Sequence, residues 1–474
     1  MRAVIMAGGK GTRIRSVASD IPKPMIPVFG KPILQYQIEN LRKCGITDIV
    51  LVTGYLNEAV SSYFGDGSGF GVNISYFNED KPMGTAGALW HLRKTGLLAE
   101  DFLLLMGDLM ISVDFERFAH AHKESGAAVT LFVHPNSHPY DSDIVVTDEV
   151  GRLEDFTEDK CGEHAARQRD SKLNRPVTGI ISKKAERGEH FYYHNQVNAG
   201  IYAISPEAAA RVCEPVDKID LDKDIVRPLI DEHKVYAYRS TEYVKDMGTP
   251  DRYDEVSHAV LNGTVENRNL ANPQKCIFLD RDGTINVEKG FLNNAKELEL
   301  IPGAAEAIKR INASEYLAVL ITNQPVIARG ECSFEGFDEI QKKLETLLGR
   351  EGAYIDAVYY CPHHQDSGFE GEVRALKFKC RCRKGKPGMI EDASADLNIA
   401  ADSSWMVGDK TSDVQCGMNA GCRTVLLATG SNGSDGRFDK APDCTASDLA
   451  EAVDMILGQS EADRRDAAGG STAK

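Results

Sequence analysis

Short apolar runs bounded by glycine, proline or acidic residues recur along the chain, and between them lie stretches whose apolar positions fall on one helical face. In the first half this pattern predicts strands over residues 4–7, 48–53, 72–76 and 102–106, with helices over 33–44 and 56–63. In the second half it predicts buried strands over 276–279, 317–321 and 405–408 and an amphipathic helix ending near residue 311. Runs that are continuously apolar, without polar alternation, suit strands covered on both faces. Strands alternating with helices therefore predict an α/β protein of two doubly wound, parallel-sheet domains. The pattern breaks over residues 261–274, LNGTVENRNLANPQ, where asparagines and a proline interrupt any period. Domains over 1–261 and 275–458 follow, joined by a linker over 262–274 and trailed by a disordered tail over 459–474. Residues 161–190 are polar and aperiodic; they read as an insertion or flap and receive no chemistry.

Charge narrows the function. With 71 acidic against 55 basic residues the formal net charge is −16, which argues against a nucleic-acid binder. Any anionic substrate must be met by local basic groups and metal. The apolar run over 3–7 passes straight into glycines and is too short for a signal peptide, and no run approaches a membrane span, so a cytoplasmic address is expected. Eleven cysteines then read as thiols or metal ligands before disulfides.

The first strand opens into Gly8, Gly9, Lys10, Gly11, Thr12 and Arg13, a loop able to aim backbone N–H groups at phosphate. Glycine loops alone are weak signals, and this spacing is neither the GxxxxGK[ST] loop nor a dinucleotide fingerprint. Pro22-Lys23-Pro24-Met25 follows, and with it the chain resembles the sugar-1-phosphate nucleotidyltransferases as far as about residue 256. The resemblance implies that Gly8, Gly9, Gly11 and Thr12 bind the nucleotide and that Arg13 and Lys23 lie along its triphosphate. Gly84 and Thr85 match the loop that meets the base, although a plain glycine-containing helix start is the alternative. Asp108, at the end of the strand over 102–106, is placed to hold Mg²⁺ against phosphate oxygens, and Asp246 matches the second metal-binding aspartate. Lys160 is assigned to the sugar phosphate through a motif with one extra residue, and Asn198 and Gly200 of VNAGIY to the sugar.

In the second half, CIFLDRDGT over 276–284 delivers Asp280 and Asp282 at a strand end, where open α/β sheets place their chemistry. Two carboxylates there could serve one phosphoryl group, Asp280 as nucleophile and Asp282 as general acid and base; a strand running into an Asp-Gly turn is the bland alternative. Thr284 can tie the turn down. Thr322 and Asn323 end a second strand and Asp409 a third, with Asp413 one helical turn later. DxDxT, TN, a lysine and GDxxxD together resemble the haloacid dehalogenase phosphatases, which implies a second Mg²⁺ held by Asp280, Asp282 and Asp409. Cys361 and His363, then Cys380 and Cys382, form two x-spaced pairs suited to a closed tetrahedral Zn²⁺ site that braces a loop; free thiols are the alternative, and His364 competes as a ligand. Arg383 and Lys384 follow directly and bring positive charge to the phosphate site. CxH, CxC and RKxxPGM resemble the D-glycero-D-manno-heptose 1,7-bisphosphate phosphatases and their histidinol-phosphatase relatives, apart from Gln324-Pro325-Val326, where that branch has serine and glycine.

The resemblances together imply a bifunctional enzyme. Its phosphatase would remove the 7-phosphate of heptose 1,7-bisphosphate, and its nucleotidyltransferase would join D-glycero-α-D-manno-heptose 1-phosphate to GTP. The rivals are a mannose or other hexose 1-phosphate transferase fused to a phosphatase of separate purpose, and a scaffold with one inactive half. Expected partners are sugar phosphates and a nucleoside triphosphate, GTP before others, with neither nucleic acid nor membrane; a homo-oligomer is an open option.

Overall fold

The computed structural model describes residues 1–9, 21–54, 56–148, 174–182, 191–215 and 217–469. Its N-terminal half is built on a nine-stranded sheet in the order Asn73–Asn78, Asp48–Thr53, Arg2–Met6, Phe102–Met106, Val197–Ile204, Val129–His134, Val235–Arg239, Asn174–Ile181, Ile144–Thr147. Alternate residues of one strand feed two cores: Val4 and Leu104 join one cluster, Ala3, Ile5, Leu103 and Leu105 the other. Burial on both faces is why these strands read as unbroken apolar runs.

The first four strands are parallel, as the alternation predicts. Val197–Ile204 then runs antiparallel to both its neighbours, so the sheet is mixed, not parallel throughout. Within the polar stretch 161–190, Asn174–Ile181 forms a strand that pairs with Val235–Arg239 and Ile144–Thr147. Beside the sheet, Tyr243–Asp246 pairs antiparallel with Leu109–Ser112, setting Asp246 opposite Leu109.

The C-terminal half carries a six-stranded, all-parallel sheet in the order Ala357–Cys361, Tyr316–Asn323, Lys275–Leu279, Trp405–Gly408, Arg423–Leu427, Cys444–Ala446. Its three central strands bear the predicted motifs, so the carboxyl ends of those strands meet by topology alone. The last helix, Leu449–Gly469, runs on past residue 458. Residues 459–469 include Ala and Arg, good helix formers that carry no apolar stripe to mark them in the sequence. No helix among the described residues is long and apolar enough to cross a membrane.

The two halves are bonded together. Residues 262–274 contain the short helix Thr264–Asn267, after which Arg268 is buried in the C-terminal half. Its guanidinium donates to Tyr316 O (2.7 Å) and Tyr354 Oη (3.3 Å) and pairs with Asp356 at 3.3 Å. Gln274 Nε2 bonds the carbonyls of Asn267, Asn269 and Asn272, each at 2.8 Å, which coils the segment on itself. Glu242 accepts from Asp114 N (2.6 Å), Leu270 N (3.1 Å) and Ser240 Oγ (2.9 Å), and burial pushes its carboxyl up to about 7. A second contact joins the helix Phe334–Arg350 to the run before Val197: Tyr193 N donates to Thr346 Oγ1 (2.9 Å) and Asn195 N to Glu345 Oε2 (2.8 Å). His194 lies between Asp338 (2.8 Å) and Glu345 (3.0 Å), and carboxylates on both ring nitrogens are satisfied together by an imidazolium.

Candidate active sites and a cysteine–histidine cluster

Lys275–Leu279 hands the chain to Asp280, whose N–H bonds Val407 O of the next strand at 3.0 Å. That register brings Asp280 to the end of Trp405–Gly408, and Asp280, Asp409 and Asp413 each offer a carboxylate oxygen within 4.8 Å of the others. Lys384 Nζ, also buried, lies 2.5 Å from Asp280 Oδ1 and 2.8 Å from Asp413 Oδ1. Asp409 is fully buried; its Oδ2 accepts from Ser431 N (2.6 Å), while its Oδ1 accepts no hydrogen bond among the described residues. Burial and the neighbouring Asp280 push the Asp409 carboxyl up to about 6. Burial likewise pushes Asp413 up to about 7, with Lys384 pulling the other way. Burial penalises the Lys384 ammonium, but Asp280 and Asp413 outweigh it and hold the proton on.

Three carboxylates face Lys384 and, 3.9 Å from Asp409 Oδ1, Lys410, and with that buried oxygen taking no hydrogen bond among the described residues the group fits a divalent cation. The backbone is shaped to the same carboxylate. A Cβ on Gly283 or Gly430 would lie 2.5 or 2.3 Å from Asp409 Oδ2, so neither position admits a side chain.

Asp282 is placed differently. Its carboxylate accepts from Arg281 Nη2 (2.9 Å), Asn286 Nδ2 (3.0 Å) and Gln324 Nε2 (3.0 Å), and it stands outside the three-acid cluster. Burial raises its pKa, but the Arg281 charge and these bonds prevail and hold it below the usual range. Asp413 takes the third place in the cluster; the GDxxxD spacing exposed it as an acid but did not assign it to the metal. Thr284 does not tie the turn, since its buried hydroxyl has no hydrogen-bond partner among the described residues; Gly283 N to Asn286 O (2.8 Å) and Ile285 N to Arg281 O (2.9 Å) close it instead. Thr322 Oγ1 accepts from Gln324 Nε2 (2.8 Å), and Asn323 Oδ1 accepts from Lys384 N (2.9 Å). Arg281 escaped the sequence reading because a side chain folding back on its neighbour has no periodic signature, and Gln324 stood out there only as a departure from the phosphatase branch.

Cys361, His363, Cys380 and Cys382 converge, their ligand atoms all within 4.8 Å of one another. His363 Nδ1 lies 3.5 Å from Cys361 Sγ and 3.2 Å from Cys382 Sγ, and the Cys361 and Cys380 sulphurs are 3.5 Å apart. His364 faces Asp366 instead, with Nδ1 3.3 Å from its carbonyl, so the histidine of the group is His363. The cluster abuts the three-acid site: Arg383 Nη1 donates to His363 O at 3.0 Å, and the next residue is Lys384.

In the N-terminal half, Gly107 N bonds Met6 O (3.0 Å), which holds the ends of Phe102–Met106 and Arg2–Met6 together just before Gly8 and Gly9. A Cβ on Gly107 would lie 2.9 Å from Met6 O. Asp108 follows and pairs with Lys23, while Met247 N bonds Asp108 O (3.1 Å) and draws in Asp246. Asp246 accepts from Arg252 Nη1 on both oxygens, each at 2.8 Å; burial raises its pKa, but Arg252 holds it low. Lys23, Asp108 and Asp246, far apart in sequence, thus meet, and Arg252 is a partner the sequence did not announce. Thr85 Oγ1 accepts from Leu221 N (2.7 Å), and Asn198 Oδ1 from Gly200 N (3.0 Å). Gly11, Thr12, Arg13 and Lys160 lie outside the described residues.

Comparison with known proteins agrees with this division. A family model for nucleotidyl transferases matches residues 2–263, and one for HAD-hydrolase-like proteins matches 381–452. A D-glycero-beta-D-manno-heptose-1,7-bisphosphate 7-phosphatase from Pasteurella multocida is 42% identical over 158 residues, 33% of this chain and 83% of that protein. The chain belongs to the nucleotidyl transferase family and, in its second half, to the family of these phosphatases. Among solved structures, a D,D-heptose 1.7-bisphosphate phosphatase from B. bronchiseptica is 30% identical, covering 39% of this chain and 99% of that one at a TM-score of 0.35. HddC from Yersinia pseudotuberculosis, complexed with GMP-PN, is 23% identical, covering 55% of this chain and 99% of that one at a TM-score of 0.41.

Proposed function

We propose that the chain performs two steps of nucleotide-sugar synthesis. Its C-terminal site removes the 7-phosphate of D-glycero-D-manno-heptose 1,7-bisphosphate, and its N-terminal site joins the resulting heptose 1-phosphate to GTP, releasing pyrophosphate. One observation carries the pairing: a single chain holds both sites, and relatives of its second half are named for a 7-phosphatase, whose product is a sugar 1-phosphate.

In the phosphatase, Asp280 Oδ1 is tied to Lys384 and to Arg281 N (2.6 Å), which leaves Oδ2 to attack phosphorus. The bond to the leaving alkoxide breaks and Asp282 supplies its proton. Water then attacks the aspartyl phosphate and gives its proton to Asp282, which frees phosphate and restores Asp280. Arg281 keeps Asp282 ionised at rest, and the arriving phosphate dianion raises its proton affinity, so the donor forms with substrate bound. A Mg²⁺ held by Asp280, Asp409 and Asp413 would offset charge on the phosphoryl oxygens. A Zn²⁺ in the four-ligand cluster would be structural, bracing the loop that carries Arg383 and Lys384.

In the transferase, an oxygen of the sugar phosphate attacks the α-phosphorus in line and pyrophosphate leaves, which calls for positioning and charge neutralisation and for no covalent intermediate. Lys23, with Arg13 by resemblance, supplies positive charge. Asp108 and Asp246 fit Mg²⁺ once phosphates draw Lys23 and Arg252 away. The proposed setting is the cytoplasm.

The phosphatase relatives are named for the β anomer, whereas the guanylyltransferase resemblance favours α. Phosphorus NMR of the protein with GTP, Mg²⁺ and either anomer of the 1,7-bisphosphate decides this. Phosphate, pyrophosphate and a nucleotide diphosphate sugar should appear in one tube. Accumulation of heptose 7-phosphate, or failure of the spared 1-phosphate to react with any nucleoside triphosphate, would overturn the pairing.

A further inference from the structure

Leu221–Val226 adopts π-helical geometry, a rare turn that recurs at functional sites. It is wedged between two parts of the N-terminal site. On one side Ile219 N bonds Met83 O (2.9 Å), Ala86 N bonds Ile219 O (3.1 Å), and Leu221 N bonds Thr85 Oγ1 (2.7 Å). The approach is so close that a Cβ on Gly84, at φ +86°, would lie 2.3 Å from Ile219 O. On the other side Asp222 Oδ1 accepts from Tyr202 Oη (3.2 Å) and from Asn198 Nδ2 (3.4 Å), and Asn198 Nδ2 also reaches Tyr202 Oη (3.0 Å). Both contacts fall on Oδ1; Oδ2 accepts no hydrogen bond from the described residues.

The strand bearing Asn198 and Tyr202 pairs antiparallel with Phe102–Met106, with Ile201 opposite Leu105. Its amino end, where Asn198 and Gly200 lie, is therefore the end at which Asp108 leaves the neighbouring strand. Packing agrees, since a Cβ on Gly200 would lie 3.1 Å from Met106 Cγ. Burial, with Asp220 next, pushes the Asp222 carboxyl up to about 6, and no lysine or arginine among the described residues hydrogen-bonds it. Arg227 lies near enough to draw the carboxyl down but spends its guanidinium on Ile180 O (3.1 Å) and Ser182 Oγ (3.0 Å), so a donor for Oδ2 has to come from elsewhere. Phosphate has none to give and would be repelled, so the donor belongs to an uncharged part of the substrate.

We propose that Asp222 determines sugar specificity in nucleotidyl transfer, accepting through Oδ2 from ring hydroxyls of the sugar 1-phosphate while Tyr202 and Asn198 hold Oδ1. This rests on the reading of the N-terminal half as a sugar-1-phosphate transferase. A base-reading role would suit the same chemistry, because guanine presents N–H donors. The side chain instead bonds the strand with Asn198 and Gly200, and only its backbone neighbour bonds the Gly84–Thr85 loop, which favours the sugar.

The test uses the full chain with GTP and D-glycero-D-manno-heptose 1-phosphate, and in parallel α-D-mannose 1-phosphate and its monodeoxy analogues. If wild type uses mannose but not heptose 1-phosphate, the pathway reading fails while the Asp222 test proceeds on mannose. Asp222→Asn is expected to raise KM for the sugar phosphate at least tenfold and leave KM for GTP within twofold. At least one monodeoxy analogue should be penalised tenfold or more by wild type and far less by the variant. Tyr202→Phe, which only releases Oδ1, should raise the sugar KM a few-fold. A loss borne by GTP, with the preference for GTP over ATP collapsing, would overturn the proposal in favour of base recognition. So would equal losses across all the deoxy sugars. If Asp222→Asn does not fold, the wild-type series decides alone: a penalty under twofold for every deoxy analogue refutes the assignment.

Discussion

Replacing Arg268 with methionine should destabilise the phosphatase half. The Arg268 and Asp356 side chains are 4% and 1% exposed, so neither can turn to water when the other is removed. At their 3.3 Å separation the attraction is about 5 kcal/mol for an effective dielectric near 20. The variant also strips a donor from Tyr316 O, a loss of ~1–3 kcal/mol. Protonation of Asp356, whose pKa burial already raises, limits the damage. A net loss of about 3–5 kcal/mol follows, the usual cost of breaking a buried pair from one side. Trp405 sits in a central strand of the C-terminal sheet, and Trp90 is the one other tryptophan. In a Trp90→Phe background, urea unfolding followed by Trp405 fluorescence should show a midpoint lower by ~1–3 M. Adding Asp356→Asn should recover at least half of the loss. A shift worth less than ~1 kcal/mol, or no recovery in the double variant, refutes the reasoning.

Asp280→Asn should abolish phosphate release and leave nucleotidyl transfer within about threefold, and Asp108→Ala the reverse; loss of both activities from either folded variant would mean the sites are not separate. Cys380→Ser should lower bound zinc, measured by elemental analysis, and destabilise the C-terminal half, since structural zinc contributes roughly 10 kcal/mol or more; full stability without zinc would count against the brace. Glu242, raised to about 7 in the fold, binds its proton more tightly there than in the unfolded chain. Its contribution is therefore fully present below the unfolded carboxyl range and is lost as pH rises through about 7, a swing of ~3 kcal/mol at most. Glu242→Gln should flatten that part of the stability–pH curve in calorimetry, and an unchanged slope would show that the carboxyl titrates elsewhere.

What could be read from the sequence follows from what the pattern encodes. Cys276 to Leu279 and Phe102 to Met106 were visible because strands buried on both faces must be apolar at every position. The acids after them were visible because a carboxylate at such an end has few structural uses. Strand partners are not encoded that way, and so the antiparallel setting of Val197–Ile204 appeared only in three dimensions. Arg268 was hidden by its setting: asparagine-rich surroundings read as linker, and nothing local says that one arginine is buried against Asp356. Asn174–Ile181, with its polar neighbours and a proline, lacked the run of apolar residues that a central strand has.

The helix Phe334–Arg350 reaches both halves of the chemistry. Near its start Phe337 lies under Arg281 (5.6 Å to the ring centroid), and Gln341 accepts from Arg281, which in turn holds Asp282. Near its end Glu345 and Thr346 grip residues 193–195, three positions before Asn198. The helix is thus a strut of constant length between the phosphatase acid and the sugar strand. A swinging-arm handover would have to tear it loose, so in the proposed sequence the sugar 1-phosphate covers a fixed gap by diffusion. Fusion then acts through proximity and equal copy number: it raises capture when the intermediate is scarce, and the benefit vanishes once free intermediate saturates the second site.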